Sequence, residues 1–130
     1  MGNRAYESDR TFSNVAMPVR INVSWSIAGA VGAVNVVRGR LVTSVVRDGA
    51  GLYTITLDDR YQQLYACNGM VLAAAANVDL FVQCAAYVPA PAATGSTIQV
   101  RTLTGNVETD PPNLAEIFVE LVLSNSTLDQ

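Results

Sequence analysis

Few residues of this chain are of the types that carry out acid–base or nucleophilic chemistry. The sequence contains no histidine and no lysine, which excludes Ser-His-Asp and Cys-His catalytic sets, histidine metal ligands and lysine Schiff bases. The most prominent acidic pair is Asp58-Asp59, but neighbouring residues at a strand end point in different directions, and no calcium-loop spacing follows. We interpret this pair as a solvated turn.

The cysteines and one short glycine motif are equally poor candidates for catalysis. Cys67 has no histidine, nearby arginine or helix start to stabilise a thiolate, so we do not expect it to be a nucleophile. The segment Gly29-Ala30-Val31-Gly32 lacks the third glycine of a dinucleotide-binding loop. The sequence therefore predicts no catalytic residue, no cofactor and no metal site, and it predicts that the protein is not an enzyme.

Composition points instead to contacts with other proteins. The chain has 130 residues, of which 50% are hydrophobic and only 15% are charged, so a single domain with a partly covered surface is expected. All eight basic residues are arginine, the basic residue favoured at interfaces, although a genomic bias toward arginine codons explains this equally well. The net charge of −3 argues against nucleic-acid binding.

No segment indicates export or membrane insertion. Residues 1–19 lack the apolar core of a signal peptide, and no uninterrupted apolar run reaches the length of about 18 residues that a membrane span needs. We expect synthesis in the cytoplasm, where cysteines are kept reduced.

From the N-terminus onward, the pattern predicts an arm followed by β-strands. Residues 1–19 are polar and irregular, which is typical of an extended N-terminal arm, and residues 20–130 are expected to form one β domain. The alternation that begins at Arg20 predicts a strand that carries Trp25 on its apolar face. On that face Trp25 is interpreted as a core residue rather than a platform for sugars.

A β-hairpin is predicted between Leu41 and Leu57. Tyr53, Ile55 and Leu57 alternate with polar or smaller residues, and Asp48-Gly49-Ala50-Gly51 supplies the residues of a chain reversal. Further short strands are predicted at 33–38 and 97–103. The fold class is therefore all-β, a sandwich or barrel of short antiparallel strands.

The stretch from Gln63 to Tyr87 has two interpretations. In the first, the chain turns at Asn68-Gly69, the strongest short hairpin signal. In the second, the strand continues and the chain turns near Ala75-Ala76, so that Cys67 and Cys84 lie symmetrically about the turn and can face each other. Two reduced, buried thiols are favoured over a disulfide, which requires suitable geometry.

The last element, residues 114–124, fits both a helical stripe and a strand, and the strand is favoured because helix would be unique in a β chain. As a strand it carries apolar side chains on a second face that a neighbouring subunit would cover. The strand near residues 80–88 is also apolar on both faces in places. The predicted subunit-interface residues are Phe118, Val122, Phe81 and Tyr87.

Residues 33 to about 127 resemble small bacteriophage virion structural proteins. The hairpin phrase from Thr43 to Leu57 is similar to one in phage tail-fibre and head-decoration modules. The other segments that carry the resemblance are Val37-Arg38-Gly39, Val100-Arg101-Thr102-Leu103-Thr104-Gly105, Asp110-Pro111 and Val122-Leu123-Ser124-Asn125-Ser126.

The resemblance implies a capsid decoration, or cement, protein. Such proteins are homo-oligomers, trimers or dimers, that sit on the outer surface of the head and bridge neighbouring subunits of the major capsid protein. They are made in the cytoplasm of the bacterial host, and a trimer is favoured here. The short chain and its acidity favour the head over the tail. Four residues of the arm are expected to order on the capsid: Arg4, Tyr6, Arg10 and Phe12.

The alternative is a tail-fibre or head-fibre module that binds a host-surface glycan. In that case Trp25 or exposed tyrosines would stack on sugar rings. The resemblance covers both kinds of virion protein, so the sequence leaves the alternative open.

Overall fold

The computed structural model describes residues 18–29, 32–73 and 80–124 of the chain. Within these ranges the secondary structure consists of strands and turns, with no helix that could cross a membrane. The strands are β1 (Pro18–Ala28), β2 (Ala33–Arg38), β3 (Val42–Gly49), β4 (Leu52–Leu57), β5 (Gln63–Leu72), β6 (Phe81–Val88), β7 (Thr97–Thr104), β8 (Val107–Glu108) and β9 (Glu116–Ser124).

The strands form two antiparallel sheets that pack face to face, which confirms the predicted all-β sandwich. Sheet A has the order β2-β1-β9-β5, and sheet B has the order β3-β4-β7-β6, with β8 paired to β7. In sheet A the first and last strands are neighbours, and Pro18 pairs with Ser124. The first strand therefore begins two residues before the boundary predicted between arm and domain.

Alternate residues of each strand point between the sheets and make the core. On β1 these are Ile21, Val23, Trp25 and Ile27, each at most 2% exposed. The ring centroid of Trp25 lies 5.4 Å from that of Tyr53 on β4, which joins the two sheets. The prediction of Trp25 as a core residue is confirmed. Complete burial of one such side chain stabilises the fold by roughly 1.5–3 kcal/mol.

The predicted hairpin is confirmed as β3 and β4. Arg47 pairs with Tyr53 and Gly49 pairs with Leu52, so the reversal itself consists of Ala50 and Gly51. Gly51 has a φ of 63°, and a Cβ there would lie 2.6 Å from the backbone nitrogen of Thr109. Glycine is required at this position, since the turn needs a left-handed backbone and leaves no room for a side chain.

The interpretation with a turn at Asn68-Gly69 is wrong, because β5 continues through both residues to Leu72. The chain instead runs on, and the connection to β6 includes residues 74–79, which lie outside the described ranges. Gly69 occupies a strand position where a Cβ would lie 2.6 Å from Cγ1 of Val82 on β6. Its role is to let two strands approach, not to turn the chain.

The last element is a strand, β9, as predicted. Its inward residues Ile117, Val119 and Leu121 are at most 2% exposed. Phe118 and Val122 alternate with them and point away from the core, as the strand interpretation requires. Helical periodicity in this segment arises because both faces of the strand carry apolar residues.

Candidate functional site

The outer face of sheet A carries a group of large apolar side chains that we call the Phe118 patch: Met70, Leu72, Phe118 and Val122. Phe118 is at the centre of the sheet, paired with Ser24 on one side and with Met70 on the other. Met70 is 64% exposed, Leu72 58% and Phe118 36%, while Val122 is half-buried. The patch thus combines side chains from the two adjacent strands β5 and β9.

A groove of about 530 Å³ runs beside Phe118 across sheet A. Its apolar part is formed by Phe118 and Met70, and polar groups are supplied by the amides of Asn22 and Asn68 and the carboxylate of Glu120. The pairing of β9 with both neighbours places Glu120 between these two amides. The groove is therefore an apolar surface with a short row of hydrogen-bonding groups along one side.

Two exposed ion pairs lie along the same face. Arg20 contacts Glu120 and Arg38 contacts Glu116, each with a nitrogen–oxygen distance of 3.2 Å. Exposed pairs of this kind add little to folding stability, typically about 0.2–1 kcal/mol. An apolar centre beside charged groups is the arrangement found in protein–protein interfaces.

The structure separates the four predicted interface residues. Phe118 and Val122 share the outer face of sheet A. Phe81 is 56% exposed but pairs with Leu103 on β7, so it lies on the outer face of sheet B. The prediction thus names surfaces on opposite sides of the sandwich.

Tyr87 does not share a face with Phe81, contrary to the expected alternation. A β-bulge between Cys84 and Ala86 shifts the register, so Tyr87 packs against the core. Its hydroxyl donates a hydrogen bond of 2.6 Å to the carbonyl oxygen of Tyr61, and burial raises the pKa of the phenol. Tyr87 therefore packs against the core and does not belong to an outer face of the sandwich.

The predicted arm residues Arg4, Tyr6, Arg10 and Phe12 lie outside the described ranges.

One polar cluster was missed by the sequence predictions. Asp110 accepts hydrogen bonds from Nε of Arg47 at 3.1 Å, from Nη2 of Arg47 at 2.7 Å and from the backbone N–H of Gly51 at 2.8 Å. Burial acts to raise the pKa of Asp110, but the bonds from Arg47 and Gly51 outweigh it and hold the pKa below its ordinary value. We call these residues, together with Tyr53 and Gly32, the Asp110 cluster.

Tyr53 completes the cluster from within the core. Its hydroxyl donates a hydrogen bond of 2.7 Å to the carbonyl oxygen of Gly32, and burial raises the pKa of the phenol to about 12. Gly32 comes directly before β2 of sheet A, whereas Tyr53 and Arg47 belong to sheet B. The cluster therefore fastens the hairpin of one sheet to the other, which is a structural role.

A sequence signal for this cluster existed. Arg47 lies two residues after Val45, which is buried, so both share the inward side of β3. A charged side chain on an inward face requires a partner, although the sequence alone does not identify an aspartate 63 positions away.

The pair Asp58-Asp59 lies in a turn, as predicted. The hydroxyl of Thr43 donates a hydrogen bond of 2.6 Å to Asp58. Among residues 18–29, 32–73 and 80–124, no three cysteine, aspartate or glutamate side chains are grouped as a metal site would require.

Comparisons with known protein families, with curated proteins and with solved structures found no match to this chain.

Proposed function

We propose that this protein is a bacteriophage capsid decoration protein that attaches to the outer surface of the head through the Phe118 patch. The observation that supports this most directly is the exposure of Met70, Leu72 and Phe118 on one sheet face. The sequence resemblance to virion structural proteins gives the proposal its biological setting.

The patch is not explained by the needs of folding. The inward residues of β9 are already almost completely buried, so the core is filled without the outward ones. Burial of exposed apolar surface against a partner is a main favourable contribution to protein–protein association. A partner surface of the capsid, or a second copy in the proposed trimer or dimer, supplies that cover.

Charge is consistent with a position outside the head. A net charge of −3 opposes contact with packaged DNA and is compatible with the solvent-facing surface. The exposed pairs Arg20–Glu120 and Arg38–Glu116 lie along the patch, where they favour one orientation of a partner more than they add affinity.

The proposal is tested on phage particles and stripped heads. Electron cryomicroscopy should find the protein in many copies at the local symmetry axes of the head. The double variant Met70→Ser, Phe118→Ser should fold but bind heads at least tenfold more weakly. Val46→Ser is the matched control, because Val46 is 52% exposed on the other sheet and should bind normally.

Two results would contradict the proposal. One is a few copies located at the tail. The other is full occupancy of heads by the double variant, which would exclude the Phe118 patch as the attachment surface.

The second candidate is a fibre module that binds a host-surface glycan, and the groove beside Phe118 favours it. Two amides and a carboxylate next to an aromatic ring match the hydroxyls and the apolar face of a sugar. Trp25 is buried and takes no part in such a site. If this candidate is right, the protein should bind host surface oligosaccharides and Asn68→Ala should abolish that binding, while Val46→Ser should not.

A further inference from the structure

Two thiols face each other at one side of the sandwich, where an edge strand of each sheet lies. Cys67 is on β5, the edge strand of sheet A, and Cys84 is on β6, the edge strand of sheet B. Both are free and half-buried, and the Cys84 thiol lies close enough to Cys67 to influence its ionisation. The two thiols thus lie at neighbouring edges of the two sheets, and β5 and β6 are not paired with each other in the described part of the chain.

The strands on which the thiols lie run side by side in opposite directions. Gly69 follows Cys67 by two residues and lies against Val82, which precedes Cys84 by two residues. The two strands therefore run antiparallel to each other at this point. Several Cα atoms of β5 lie within 8 Å of Cα atoms of β6. A disulfide requires Cα atoms about 4.4–6.8 Å apart, and the approach of β5 and β6 at Gly69 and Val82 brings this part of the two strands near that range.

We propose that Cys67 and Cys84 form a disulfide that ties sheet A to sheet B when the protein meets an oxidising environment. The oxidant is a small-molecule disulfide such as oxidised glutathione. One cysteine thiolate attacks it and forms a mixed disulfide, releasing one glutathione thiolate. The second cysteine thiolate then attacks the protein sulfur of the mixed disulfide and releases the other glutathione.

The atoms balance, because both thiol protons go to solvent or buffer and two electrons pass to the oxidant. Burial, with the neighbouring Cys84 thiol, raises the pKa of Cys67 to about 12. Because the thiolate is the attacking species, we expect slow closure at neutral pH and faster closure in alkaline buffer. This inference does not depend on the proposed function.

The test uses the full chain, incubated with oxidised glutathione at pH 8 to 9. We expect a monomer that has lost two hydrogens by intact mass and has no titratable thiol left. Its thermal unfolding midpoint should rise by roughly 10 °C, since the bond closes a loop of moderate length in the unfolded chain. Reducing agent should reverse both changes.

Matched variants separate the proposed bond from other oxidation products. Cys67→Ser and Cys84→Ser should show no rise in midpoint under the same treatment. Gly69→Ala should slow closure severalfold, because its Cβ pushes against Val82, while Gly49→Ala, where nothing lies within 4 Å, should close at the normal rate.

Three results would overturn the inference. They are two titratable thiols after long incubation, a stable adduct with one glutathione per cysteine, and disulfide-linked dimers in place of an oxidised monomer.

Discussion

The two sides on which sheets A and B meet are closed by different chemistry. Near the start of β2, the Asp110 cluster joins the sheets through the hydrogen bond from Tyr53 to Gly32, beside the charged hydrogen bonds that Arg47 and Gly51 donate to Asp110. At β5 and β6 the contact is apolar and close, with Gly69 against Val82 and Cys67 against Cys84. The charged side is expected to respond to pH, and the other side to oxidation through the proposed disulfide, so each can be altered without changing the other.

The largest effect is expected at the charged side. Asp110→Asn removes the negative acceptor of three hydrogen bonds and should lower the free energy of unfolding by about 2 kcal/mol, measured by urea denaturation. Glu120→Gln is the matched control, because it breaks an exposed pair and should cost at most about 0.5 kcal/mol. Equal losses in the two variants would mean that the hydrogen bonds of Asp110 add no more to stability than an exposed ion pair does.

The same cluster predicts acid sensitivity. Because the folded pKa of Asp110 is lowered, its contribution to stability is present above the ordinary value of 3.8 and is lost as pH falls toward the folded pKa. When the pH is lowered below about 4, the free energy of unfolding of Asp110→Asn should therefore fall less than that of the unmodified protein, as measured by urea denaturation at each pH.

A somewhat smaller effect is expected at the apolar side. Gly69→Ala places a Cβ 2.6 Å from Cγ1 of Val82 and should cost about 1.5 kcal/mol through overpacking. Val82→Ala removes that methyl group, so the double variant should be more stable than the sum of the two single changes predicts. Strict additivity in urea denaturation would show that Gly69 and Val82 are not in contact.

The smallest effect is expected for the hydroxyl of Tyr53. Tyr53→Phe loses the hydrogen bond to Gly32 and should cost about 1 kcal/mol at neutral pH. Because the folded pKa is raised to about 12 from 10.0, the protonated phenol stabilises the fold below pH 10, and this contribution is lost as pH rises toward 12. In a series of thermal melts at increasing pH, the variant should therefore lose less stability above pH 10 than the unmodified protein does. Some alkaline destabilisation should remain, because the pKa values of Tyr61 and Tyr87 are also raised.

The sequence predicted those parts of the fold that depend on local alternation. The hairpin at 42–57, the inward position of Trp25 and the strand at Glu116–Ser124 all follow from side chains that alternate along one segment. The outward position of Phe118 followed in the same way, because it is the opposite face of a strand whose inward face is apolar.

What the sequence did not predict depends on contacts between distant segments. Asn68-Gly69 carries a strong local turn signal, but β9 pairs with β5 through both residues and overrides it. The bulge that turns Tyr87 inward is equally invisible in an alternating pattern. Asp110 meets Arg47 only because the segment before β9 passes the hairpin of the other sheet.

The pairing of Pro18 with Ser124 has a mechanical consequence. The chain enters sheet A and leaves it at adjacent positions on two antiparallel strands in the middle of the sheet. A force that pulls these two residues apart separates β1 from β9 one hydrogen bond at a time, as a zipper opens. A force spread over the sheet face avoids that route, so attachment through the Phe118 patch would resist tension better than attachment through the chain ends.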